Sequence, residues 1–77
     1  MHPLRRLEEG ELTQVLNGWL ASLSQSDRVL FLRRYWNGEP LKELEQAYGL
    51  THSALAKRMY RLRGSLRKTL EREGYTL

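Results

Sequence analysis

The side chains best suited to chemistry in this chain lie in one short block. Lys57, Arg58, Arg61, Arg63, Arg67 and Lys68 supply six cations over twelve residues, with Tyr60 among them and no acid in between. Seven basic side chains face two acidic ones over residues 51–77, whereas residues 1–50 hold six basic and seven acidic. A net charge of +4 concentrated in this way fits recognition of a polyanion, with nucleic acid as the expected partner. Guanidinium groups form paired hydrogen bonds with guanine edges or phosphates, and ammonium groups act as mobile point charges toward the same acceptors. A solvated helix face is the plainer reading of the same charges.

Catalysis and metal binding are not expected. The chain has no cysteine, and its two histidines, His2 and His52, lie far apart in sequence. No glycine-rich phosphate loop precedes a helix, so no catalytic residue, metal, cofactor or small-molecule substrate is assigned. The longest aliphatic or aromatic run, residues 29–32, is far too short for a membrane span, and the first residues do not resemble a signal peptide. A soluble cytoplasmic protein is the expectation.

Seventy-seven residues allow one small domain. Residues 1–10 read as an arm or linker, and residues 11–77 as the domain. Leu12, Val15, Leu16, Trp19 and Leu23 recur at helical spacing from Glu11 onward. Gly18 inside that helix is either a close contact or a tolerated weak point. A run of short oxygen-bearing side chains over residues 24–27 starts a second helix. Its Val29, Leu30, Phe31, Leu32, Tyr35 and Trp36 make it the expected central and most buried element, ending at Asn37 and Gly38. Pro40 suits the first position of a third helix, whose inward face is Leu41, Leu44, Ala47 and Tyr48. Gly49 ends it, Leu50 plugs the angle, and Thr51 caps a fourth helix from about His52 to about Arg72. That helix would be roughly 30 Å long. The expected fold is all-α: a four-helix, helix-turn-helix domain with a long C-terminal recognition helix.

Leu55, Met59, Leu62, Leu66 and Leu70 form the inner stripe of the last helix. Ser53, Lys57, Tyr60, Arg61, Gly64 and Lys68 fall opposite, and Arg58 and Arg63 flank the core. The expected DNA-binding set is therefore His52, Ser53, Lys57, Arg58, Tyr60, Arg61, Arg63 and Lys68. Arg61 and Lys57 suit guanine edges or phosphates. Tyr60 suits a thymine methyl or sugar, with its hydroxyl toward a phosphate. His52 and Ser53 lie where free helix N–H groups attract phosphate. Arg63, Arg67 and Lys68 suit phosphates more than bases. Other readings remain open: a structural role for Arg58 at the core edge, a partner-helix contact for Tyr60, and a solvated turn for His52.

The ordered combination of residues 23–36 (LSQSDRVLFLRRYW), 41–44 (LKEL), 49–51 (GLT), 55–67 (LAKRMYRLRGSLR) and 70–74 (LEREG) resembles region 4 of bacterial sigma factors. It is most similar to the extracytoplasmic-function class, over about residues 11–75. The resemblance implies reading of the −35 element of double-stranded promoter DNA while docked on the β flap of RNA polymerase core. Lys57, Tyr60 and Arg61 would then read the groove, with His52, Ser53 and Arg58 near phosphates or base edges. Three positions depart from the family pattern. Glu45 replaces a small Ala between the two helices, which would loosen or rotate their crossing. Pro40 replaces a Ser or Thr cap, and Ala56 replaces a polar side chain. The region that melts the −10 element in a complete sigma factor has no counterpart in these residues, so this chain alone is not expected to start transcription.

A second class of function rests on Trp19, Tyr35 and Trp36, aromatic side chains suited to anchoring a protein partner such as the flap or an anti-sigma factor. A role in the core is the plainer reading of all three. A third reading is a stand-alone helix-turn-helix regulator acting as a dimer on palindromic DNA.

Overall fold

Each inter-helix junction is built from local hydrogen bonds that the sequence supplies. In the computed structural model, which describes residues 9–75, the order is α1 (Glu9–Ser22), α2 (Gln25–Tyr35), α3 (Leu41–Tyr48) and α4 (His52–Arg72). No strand occurs among the described residues, and none of their helices is long and apolar enough to cross a membrane. The arm expected over residues 1–10 lies outside the described residues except for its last two. Those two are helical, so α1 begins before Glu11.

The Ser24 hydroxyl accepts the Asp27 N–H at 3.2 Å and starts α2. The Thr51 hydroxyl accepts the Ala54 N–H at 3.1 Å and starts α4. Each satisfies one of the N–H groups that a helix start leaves open. Pro40 stands just before α3 with extended φ/ψ of −63° and 146°, rather than inside its first turn as expected. A ring that fixes φ and lacks an N–H serves that boundary without a side-chain cap.

The turn between α3 and α4 depends on Gly49. Its φ of +63° is left-handed, a region costly for residues with a Cβ. The Leu50 N–H thereby reaches the Glu45 carbonyl at 3.0 Å, and the Gly49 N–H reaches Gln46 at 3.4 Å. This paired closure satisfies carbonyls at the end of α3 and folds Leu50 back onto the core. Gly74 ends α4 in the same way, with the Tyr75 N–H donating to the Leu70 carbonyl at 2.9 Å.

The core is Trp19 from α1, Leu30 from α2, Leu44 from α3, and Leu55, Met59 and Leu62 from α4. Leu30 and Leu44 are fully buried, and each such side chain contributes about 1.5–3 kcal/mol. Half-buried Leu20, Leu23, Phe31, Leu41, Tyr48, Leu50 and Leu66 pack around them. Trp19 meets the Phe31 ring edge-on at 4.8 Å. Its Nε1–H donates to Ser65 Oγ at 3.0 Å and ties α1 to the distal half of α4.

Two expectations about packing are corrected. The central element is α4, which packs against all three other helices; α2 contributes only one fully buried residue. Four consecutive apolar residues point around the whole circumference of a helix, so residues 29–32 cannot all face inward. Val29 is accordingly exposed. Ala47 is also exposed rather than inward-facing. Of the two readings of Gly18, the tolerated weak point holds: a Cβ built there would meet nothing within 4 Å.

Candidate nucleic-acid interface

Because α4 turns its leucine stripe into the core, its opposite side is left outermost. His52, Ser53, Lys57, Tyr60, Arg61 and Lys68 are all exposed there, and Tyr60 keeps 72% of its surface. Lys57, Arg61, Arg67 and Lys68 make no hydrogen bond or ion pair with another described residue. Their donors are therefore open to an external acceptor. The Gly64 position is open as well, with nothing within 4 Å of a built Cβ. Sequence periodicity alone was sufficient to find this set.

Two of the expected groove cations are engaged elsewhere. Arg58 donates from Nε to Asp27 Oδ1 at 2.7 Å and from Nη2 to Ser26 Oγ at 2.6 Å. Its guanidinium carbon also lies 5.6 Å from the Tyr48 ring centre. It is a clamp from α4 to the start of α2, placed at the core edge where those acceptors lie, and two of its five N–H donors are committed there. Arg63 donates from Nη1 to the Tyr35 hydroxyl at 2.9 Å, around the side of the helix. His52 is not a bare turn residue either. Its Nδ1 lies 2.9 Å from Glu45 Oε2, so Glu45 spans the turn to the first residue of α4. Leu44 beside it is fully buried.

The aromatic set divides. Trp19, 3% exposed and bonded to Ser65, is a core residue and offers no surface to a partner. Tyr35 is half exposed with its ring against Phe31 at 4.7 Å, while Trp36, at the end of α2, is 84% exposed.

Sequence reasoning missed a brace behind the interface. Arg33 grips Glu39 with Nε at 3.0 and 3.1 Å and Nη2 at 2.8 Å. This hydrogen bonding is the main cause holding the Glu39 carboxyl below its ordinary pKa and the Arg33 guanidinium above its own. The Arg33 guanidinium carbon lies 5.8 Å from the Tyr48 ring centre, so Tyr48 lies within cation–π range of both Arg33 and Arg58. The brace joins the end of α2, the end of α3 and the first half of α4. No fixed spacing announces it, because its members come from different helices.

Chemically, the outer face of α4 offers N–H donors, the Ser53 hydroxyl and the Tyr60 phenol. Among the described residues no group of three His, Asp or Glu side chains is placed to hold a metal ion. No known family model matches the chain, and no curated protein matches it.

Proposed function

We propose that this chain is a cytoplasmic DNA-binding module rather than an enzyme, and that α4 enters the major groove of promoter DNA as region 4 of a sigma factor does at a −35 element. One observation carries the reading: Lys57, Arg61 and Lys68 lie on one exposed side of a firmly packed helix, with no acceptor among the described residues. The short capped turn between α3 and α4 supports it, because a groove reader needs a recognition helix held rigidly against the body. A titration of duplex affinity against salt tests it. With about three to six phosphates neutralised, log K falls with log salt at a slope of a few units. A flat response rejects the proposal.

Trp36 supports a second, compatible role. An indole 84% exposed beside half-exposed Tyr35 suits a protein anchor, with the β flap of RNA polymerase core or an anti-sigma factor as the partner. Capture on isolated flap separates the two surfaces: Trp36→Ala loses flap binding, and Lys57→Ala keeps it.

A further inference from the structure

The exposed side of α4 is not chemically uniform. Ala54, Ala56, Lys57, Tyr60 and Arg61 line one shallow depression on its surface. Ala56 and Tyr60 stand one turn apart and make an apolar flank, while Arg61 stands around the helix on the other side of Lys57. Tyr60 keeps most of its ring in solvent, and neither it nor Ala56 contributes to the core.

Phosphate oxygens give an apolar flank nothing to bind, and a contact to deoxyribose carries no sequence information. The major groove offers one exposed apolar group, the C5 methyl of thymine; the guanine O6 and N7 atoms are acceptors suited to the cations. Resting on the DNA-binding reading above, we propose that Ala56 and Tyr60 form a thymine-methyl subsite beside the guanine-directed Lys57 and Arg61. The sequence bound by this chain then carries thymine and guanine at neighbouring positions. Ala56, which lacks the polar group expected at its position, becomes a specificity residue because it is small and apolar.

Deoxyuridine isolates the methyl, since it keeps the hydrogen-bonding edge of thymine and lacks only that group. Duplexes selected by the full chain from a random pool are compared with copies in which every thymine is replaced by deoxyuridine. Wild type is expected to enrich adjoining thymine and guanine, and to bind the uracil copy about fourfold more weakly for each contacted methyl, the value for one buried carbon group. Tyr60→Ala should bind the two copies nearly equally, while Arg61→Ala weakens both and keeps their ratio. The first variant also separates a protein contact from any change in duplex shape, which would persist without Tyr60. Salt-dependent binding with equal affinity for both copies overturns the subsite and leaves the DNA-binding reading standing, as does a thymine preference that survives Tyr60→Ala. Absence of salt-dependent binding to any duplex overturns both.

Discussion

The cations of α2 and those on the outer side of α4 are similar residues in opposite surroundings. Arg28 donates to the Leu20 and Leu23 carbonyls at 3.2 and 3.3 Å, closing the end of α1. Arg33 grips Glu39, and Arg34 donates to the Glu39 carbonyl at 3.0 Å. Each α2 arginine thus satisfies acceptors that helix ends and loops leave open. Lys57, Arg61, Arg67 and Lys68 have no such acceptors among the described residues. A basic side chain is held internally or left open to an outside acceptor according to the oxygen atoms within its reach, and Arg58 marks the border. It belongs to α4 by sequence and to the structural arginines by geometry.

The largest expected effect tests the outward set. Arg61→Ala should weaken specific duplex binding by about 1–3 kcal/mol, roughly five- to 150-fold, as loss of a base contact does. Its melting temperature should stay near wild type, because exposed substitutions outside packed features change stability by about 0.5 kcal/mol or less. Anisotropy titration and thermal melting read the two quantities separately. A variant that binds normally but melts early would place Arg61 with the structural arginines.

Arg58→Met should invert that pattern. It keeps the stem over the core edge and removes the bonds to Asp27 and Ser26, costing about 1–2 kcal/mol of stability. For a domain this small the melting temperature then drops by several degrees. Below that melt, the salt slope of DNA binding should equal the wild-type slope. A slope lowered by about one unit would instead make Arg58 a phosphate contact and move the border.

A gentler test compares two helical glycines. Gly18→Ala and Gly64→Ala each place a methyl in open space and should raise stability by about 0.5–1 kcal/mol in a denaturant titration. Gly18→Ala should leave DNA affinity unchanged. Gly64→Ala, on the outer side of α4, should reduce it if the backbone approaches the duplex closely. Equal affinity for both would limit the contact surface to the first half of α4.

The smallest effect is a pH dependence within the structural set. Hydrogen bonding from Arg33 lowers the folded-state pKa of Glu39 below its unfolded value. The stability so gained is present above the ordinary carboxylate range and is lost as pH falls through the depressed folded value. Wild type should therefore be more stable than Glu39→Gln at neutral pH, with the gap narrowing in acid. Melting both proteins from neutral to acidic pH measures it; a constant gap would show that Arg33 gains nothing from the charge of Glu39. The pair is part-exposed, which keeps the effect modest.

Periodicity made much of this molecule legible. The span of α4 from His52 to Arg72, its Thr51 cap and the Gly49 turn follow from local signals, and so does the inner stripe of Leu55, Met59 and Leu62. The exposure of Lys57, Tyr60 and Arg61 follows from the same wheel. The expectation for α2 was less accurate, because a run of four apolar residues has no single inward direction. Trp19 and Trp36 also looked alike in sequence. Their neighbours separated them: one meets Phe31 and Ser65, and the other extends past the end of its helix.

By itself the sequence determined the helices, their caps, the turn before α4 and which side of α4 carries charge. These depend on residues within a few positions of one another, where backbone geometry fixes the outcome. Only the tertiary structure decided which arginines were consumed internally, that Trp19 is core and Trp36 is surface, and that Tyr48 lies within reach of two guanidinium groups. Those outcomes depend on atoms brought together from different helices, and the spacing of residues along one chain does not encode the distance between two of its elements.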